Sequence, residues 1–435
     1  MADPDYGKIT DERVQALKER LGLDLEPSSY LPLSDEERKR WRPKSTGFNV
    51  EVSIDTSRHF VRGYGDDNPL YCDPEYAAQT RWGTLIAAPT MFWTFDGELD
   101  PKGTLKPEIA KKLRGDPLRG VGSLQADIRY DFYQPMKLGD RMYRNSAVTG
   151  IADKTSSWGG RAVHETNSFV TYNQDREIST VLRGIWIRGE RRPVSEVKEP
   201  QPIPEAYDDE ALAEIDACYQ DEVATRRGAE PRFWEDVEVG QELPRMVKGP
   251  IRVTDLILFH AGFGQSFPTY AHRLAYETRQ STPGLYTRNA LNVWDIVQRM
   301  HWEEDWAHKV GAGTVYDYGA IRETFLAHLV TNWMGDDAWL RRLRVQHRKF
   351  NFAGDTNWLM GKVVGKEMTP EGAEVHLEIR IENQRGLVLT PGEAIVLLPS
   401  REQGPVVLPK PSSEDVMGVL RNEVEELYAI NEASA

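Results

Sequence analysis

Cysteine is scarce in this chain: Cys72 and Cys218 are its whole complement. No disulfide framework holds such a fold, and a reducing compartment suits it. No apolar run approaches the length of a membrane span. The opening stretch, MADPDYGKITDERVQ, lacks the apolar core of a secretory leader, so a cytoplasmic location is expected. Excess positive charge is missing as well, with 54 Lys and Arg against 68 Asp and Glu and a net charge of -14. Nucleic acid and membrane surfaces are therefore not expected partners, although a local basic cluster can still serve a phosphate. The two cysteines stand far apart, no histidine pair sits four apart around an acid, and no glycine-rich phosphate or dinucleotide loop occurs. Neither a metal nor a resident cofactor is expected.

What is present points to two domains. A chain of 435 residues is long for one compact domain and comfortable for two. Residues 1–45 carry a short helical pattern, DERVQALKERLG, closed by Gly22. Residues 46–190 form a first domain: a strand-like FNVEVSI, the Asp73-Pro74 start of a short helix, an apolar LIAAPTMFWTF, then four alternating segments from 124 to 190. Alternation of this kind belongs to an antiparallel sheet with one buried face. Residues 191–230, rich in proline and acids around a short helix, read as a linker. Residues 231–400 repeat the plan, and 401–435 form a tail. In the repeat, AIRETFLAHLVTNWM is a long apolar helix, and the turns at Gly139-Asp140 and Gly354-Asp355 fall at matching places. The expected fold class is α+β: two antiparallel sheets, each wrapped around a long central helix and joined edge to edge as an internal dimer.

The stretch GDDNPLY, residues 65–71, combines an acid pair, an asparagine, a proline and a tyrosine. By residue type alone it is ordinary turn chemistry. Together with the AAPTMF segment and the Gly-Asp turn, however, it resembles the MaoC-type dehydratases of the hotdog fold. The first half is most similar to the N-terminal dehydratase domain of two-hotdog chains. The resemblance spans residues 46–190 well and 231–400 less closely. It implies a double hotdog that hydrates or dehydrates acyl thioesters, usually (R)-3-hydroxyacyl-CoA to or from trans-2-enoyl-CoA. The expected partner is an acyl-CoA or acyl-carrier thioester, serving as substrate, and a homodimer is expected.

The family motif runs Gly-Asp-x-Asn-Pro-x-His, with the Asp and His holding the reactive water. Gly65, Asp66, Asn68 and Pro69 match it, and Tyr71 stands at the histidine position. A phenol with a pKa of about 10 is a poor base but a usable proton donor. In the second half FGQSFPTY aligns with this loop, placing Gln265 and Tyr270 there and His272 just beyond. Addition of water to a conjugated thioester builds charge on the thioester oxygen, which calls for N–H donors as well as a base. The resemblance puts those donors at the start of the central helix: Gly319 or Ala320 in the second half, with Asp317 and Tyr318 beside them, and Thr90 in the first, where Pro89 has no N–H. The expected catalytic set is Asp66, Asn68, Tyr71, Tyr270, His272 and Gly319, with Gly65, Pro69, Thr90, Gln265, Asp317 and Tyr318 binding substrate.

Plainer readings stand beside these. Tyr71 and Tyr270 equally suit packed aromatics, and His272 a surface loop. His328, inside the long helix, reads as a core or interface residue that the helix can also place beside a ligand. His59, His164 and His260 read as structural. Hotdog proteins also hydrolyse thioesters, so a thioesterase is one alternative. A non-catalytic acyl-thioester-binding subunit that needs a partner is the other.

Overall fold

The computed structural model describes residues 5–156, 160–190, 195, 200–264 and 270–433. Eight long strands dominate: β1 (Gly122–Phe132), β2 (Met142–Ser156), β3 (Gly160–Asn173) and β4 (Ile178–Gly189) in the first half. The second half contributes β5 (Trp339–Gln346), β6 (Asn357–Thr369), β7 (Gly372–Asn383) and β8 (Val388–Leu397). Alternation of buried and open residues puts one face of each strand into the core, the pattern expected of a half-buried sheet. With three short edge strands they make one 11-stranded sheet in which the long strands run β2-β3-β4-β1-β5-β8-β7-β6. Gly139 and Gly354, both with positive φ, make the two matching turns.

The halves meet at β1 and β5, which pair antiparallel from Arg342 opposite Asp131 to Gln346 opposite Asp127. Arg342 Nε lies 2.7 Å from Asp131 Oδ1 and Arg344 Nη2 2.8 Å from Asp127 Oδ2. Opposite charges on adjacent strands fix the register as well as the contact. The edge-to-edge double hotdog is thus a single continuous sheet.

One detail of the expected fold is amended. The second half has its long central helix, Gly319–Met334, buried along almost its whole length. The first half has at the corresponding place only a six-residue 3-10 turn, Pro89–Thr94. Asp96-Gly97 and Asp100-Pro101 follow directly, and both pairs interrupt helices. Phe92, Trp93, Tyr130 and Phe132 fill the space and join the core around the central helix. The FNVEVSI stretch is likewise not a strand: a single bridge, Glu51 to Arg141, precedes the helix Ile54–Gly63.

Two further helices lie outside the sheet's cores. Asp209–Thr225 runs through the proline-bearing stretch between the halves. Val416–Ala433 packs Val416, Val419 and Leu420 on Tyr143, Val170 and Tyr172 of the first half. No helix among the described residues is long and apolar enough to cross a membrane.

Candidate functional site

The helix Ile54–Gly63 starts at a Ser53–Thr56 capping box and delivers the chain into GDDNPLY. Gly65, at φ +76, makes the reversal that a side chain would oppose. Asp66 then accepts a hydrogen bond from the Asn68 N–H at 2.9 Å, and the Asn68 carboxamide oxygen accepts from Leu70 N–H at 3.0 Å. Pro69 opens the short helix that carries Tyr71. The loop is therefore turn chemistry in its backbone, which answers half of the question the motif raises.

Its side chains answer the rest. Asp66 is buried and faces the central helix of the other half, with Oδ1 3.2 Å from His328 Nε2. Its second oxygen accepts from the Tyr64 hydroxyl at 2.9 Å. Glu222, from the helix between the halves, lies 3.7 Å from His328 Nε2, and Lys248 Nζ reaches both Glu222 at 3.1 Å and the Gly65 carbonyl at 2.9 Å. Asn332 Nδ2 is 3.1 Å from His328 Nε2, one helical turn on. The Arg226 guanidinium pairs with Asp67 and stands 3.9 Å from Asp66.

Burial alone drives the Asp66 carboxyl upward. The charge of His328, its hydrogen bond, the Asn68 N–H and Lys248 outweigh that and hold it well below the usual carboxylate range. The Tyr71 hydroxyl moves the other way, driven far up by burial and by the charges of Asp66 and Asp336, so it stays protonated. His328 Nδ1 and Asn332 Oδ1 are buried with no hydrogen-bond partner in the structure, which marks this cluster as an unfinished polar network. Asn68, Tyr71 and Thr331 also border a cavity of about 30 Å³, closed by Phe132, Trp82 and Trp339. A space of that size admits water.

The structure thus gathers Gly65, Asp66, Asn68, Pro69 and Tyr71 and adds His328, Glu222, Lys248 and Asn332. Thr90 shares a hydrogen bond of 2.9 Å with Thr324, one turn before His328. Gly319 precedes His328 by nine residues, roughly 13 Å along the helix, so its N–H does not face Asp66. Tyr270 is 51% exposed and His272 is also at the surface, where neither joins the Asp66 cluster. Gln265 lies outside the described residues.

A second buried cluster occupies the start of the central helix. Asp317 accepts from Asn351 Nδ2 at 2.6 Å and stands 3.2 Å from Arg322 Nε. Burial raises its carboxyl to about 6 against the pull of Arg322. His260 Nδ1 is 3.1 Å from the Tyr318 hydroxyl. His301 Nδ1 donates to the Tyr316 carbonyl at 2.7 Å, and burial lowers its pKa to about 4, leaving a neutral ring. Gly319 itself is packed against Gln125 and His347, leaving no room for a Cβ.

Sequence reasoning gave His328 no catalytic role because it is remote from the motif. The available signal was a polar stripe, Thr324, His328, Thr331 and Asn332, on one side of an otherwise apolar helix.

Residues 43–181 match the family model described as the FAS1-like dehydratase domain region. A UPF0336 protein of Streptomyces avermitilis is 26% identical over 141 residues, 32% of this chain and 85% of its own. A solved MaoC-like dehydratase superposes with a TM-score of 0.54 at 16% identity, covering 83% of this chain and 99% of its own. A Mycobacterium tuberculosis protein described as a double hotdog reaches a TM-score of 0.46 at 11% identity, covering 83% of this chain and 97% of its own.

Proposed function

We propose that this chain, whose residues 43–181 match a FAS1-like dehydratase region and whose fold is that of a solved MaoC-like dehydratase, is a MaoC-like dehydratase that adds or removes water at the α,β-bond of an acyl thioester. The observation that carries this reading is the 3.2 Å approach of Asp66 to His328, beside a cavity bordered by Asn68 and Tyr71. The family motif places an acid and a histidine in one loop. Here the loop supplies the acid, and the central helix of the other half supplies the imidazole.

In the hydration direction His328 takes a proton from water as its oxygen bonds to the β-carbon, and ionised Asp66 stabilises the resulting imidazolium. The electron pair of the double bond moves onto the thioester oxygen as an enolate. Asn68, whose carboxamide oxygen is committed to Leu70, offers only N–H donors to that charge. The protonated Tyr71 hydroxyl delivers the α-proton, and the His328 proton returns Tyr71 to its neutral form through solvent in the site. Dehydration runs the same steps backwards. The substrate is a CoA or carrier-protein thioester with no resident cofactor, and the protein acts as a homodimer. Which acyl group is preferred, straight, branched or cyclic, is what the substrate panel distinguishes.

The test is mass spectrometry of the protein incubated with straight, branched and cyclic trans-2-enoyl-CoAs and 3-hydroxyacyl-CoAs. A gain or loss of one water that disappears in both Asp66→Asn and His328→Asn supports the proposal. Release of free CoA points instead to a thioesterase. An unreacted panel, with acyl-CoA still bound, overturns it in favour of a binding subunit.

A further inference from the structure

We propose that the β6–β7 hairpin of the second half carries a binding site for a divalent transition-metal ion of the zinc type, formed by Glu367, Glu374 and His376. The three side chains share one face of the hairpin. Glu367 stands directly opposite Glu374 across the antiparallel pair, and His376 follows two residues after Glu374. His376 Nε2 lies 3.2 Å from Glu367 Oε1 and 3.3 Å from Glu374 Oε2, and one ligand atom from each residue falls within 4.8 Å of the others. Ligands held about 2.1 Å from zinc in a tetrahedral array stand about 3.4 Å apart, so the spacing suits a shared ion.

Three independent features support a cation between these groups. Like charges directly opposite on adjacent strands repel, and one of the two, Glu374, is only 8% exposed. His376 Nε2 is buried at the atom, yet it makes no hydrogen bond to either carboxylate despite its closeness. A ring nitrogen that points between two carboxylates is arranged for a cation in the gap. Glu374 is also held from behind: Thr369 Oγ1 donates to its Oε1 at 3.1 Å, and Trp234 Nε1 donates to its backbone carbonyl at 2.9 Å. That leaves Oε2 directed at His376, the orienting support that metal ligands commonly receive.

The backbone is shaped to match. A bulge between Val363 and Gly365 shifts the register just where Gly365 comes opposite His376. One imidazole and two carboxylates favour zinc, manganese, iron or cobalt over calcium and magnesium, which prefer oxygen alone. The sequence shows no metal-ligand spacing because the three residues come from two strands and only His376 and Glu374 are close in the chain.

The experiment is equilibrium dialysis of the full-length, chelator-treated protein against Zn²⁺, with bound metal measured by elemental analysis and thermal unfolding followed in parallel. Wild type should retain one zinc per chain and unfold at a higher temperature in its presence. His376→Ala should lose at least tenfold in affinity, together with the thermal shift. Glu367→Gln, at an exposed position, should weaken binding without disturbing the fold, so that a misfolded His376 variant leaves the question decidable. Asp66→Asn should bind zinc like wild type. Equal zinc content and equal thermal shift in wild type, His376→Ala and Glu367→Gln overturn the proposal, as does a wild type that retains none.

Discussion

The two ends of the central helix each hold a buried aspartate from a loop, and they are driven in opposite directions. Asp66 meets His328 and the Asn68 N–H with Lys248 nearby, and it is held well below the usual carboxylate range. Asp317 meets Arg322 across 3.2 Å without a good hydrogen bond, and it is pushed up to about 6. Burial is nearly the same at both sites, so the difference lies in how many donors converge on each carboxylate. The Asp66 end sets an anion 3.2 Å from the His328 imidazole. At the other end the guanidinium stays charged, so Asp317 itself is the group that titrates. On the proposed reading the water chemistry belongs to the first end, and the second end responds to pH.

Removing the imidazole breaks the comparison most severely. His328→Ala leaves the Asp66 carboxylate buried without the imidazole beside it, and leaving a buried polar group without its partner costs roughly 1–3 kcal/mol. Urea unfolding should show that loss near neutral pH, with turnover abolished. Acid should narrow the gap. A carboxylate with a depressed folded pKa contributes stability above its unfolded value of about 3.9, and that contribution disappears as pH falls through the folded value. If wild type and His328→Ala keep the same separation down to strongly acid pH, the pairing of Asp66 is not what the helix histidine provides.

Asp317 sharpens the contrast through the opposite sign. Its folded pKa of about 6 lies above the ordinary aspartate value of 3.8, so the folded state holds the proton more tightly. The charged form costs stability above pH 6, and that cost is relieved as pH falls from 6 towards 4. The gap corresponds to roughly 3 kcal/mol across that window. Stability of wild type relative to Asp317→Asn should therefore rise by up to that amount on acidification from pH 7 to 4. Comparing the slopes removes the fixed effect of leaving Arg322 without its anion. Parallel curves would mean that Arg322 neutralises Asp317 fully and that the two ends are alike.

Tyr71→Phe probes the Asp66 end without disturbing its charges. The phenol is the proposed proton donor, and its loss should lower kcat by about tenfold, near 1.4 kcal/mol, while KM stays within twofold. Steady-state kinetics on the substrate found in the panel would measure both. A change in KM alone would return Tyr71 to wall packing of the cavity.

Much of this architecture was legible in the residues. Alternating segments identified the strands, and the matching Gly-Asp turns and AIRETFLAHLVTNWM identified the duplication, because those signals are local. Asp66, Asn68 and Pro69 were legible for the same reason, being neighbours in one turn. His328, Glu222 and Lys248 were not, since the fold brings them from 156 to 262 positions away into one cluster around Asp66. LIAAPTMFWTF was ambiguous by periodicity, and only the Asp-Gly and Asp-Pro breaks beyond it explain why the first-half helix stops after six residues. Distance in sequence, rather than unusual chemistry, separated what was seen from what was missed.

The smallest expected effect concerns the contact that lies between the two ends. Thr90 of the short first-half turn hydrogen-bonds Thr324 at 2.9 Å, while Thr324 itself donates to the Ala320 carbonyl at 2.8 Å. Thr90→Val keeps the shape of the side chain and removes one donor, and Thr324 retains its own bond. The loss should be about 1 kcal/mol, typical of a buried hydrogen bond whose partner stays satisfied. Both the Asp66-dependent turnover and the Asp317-dependent pH slope should survive, because neither cluster uses this hydroxyl. If the variant alters the two together, the threonine contact couples the ends of the helix, and the aspartates report on one shared network rather than two independent sites.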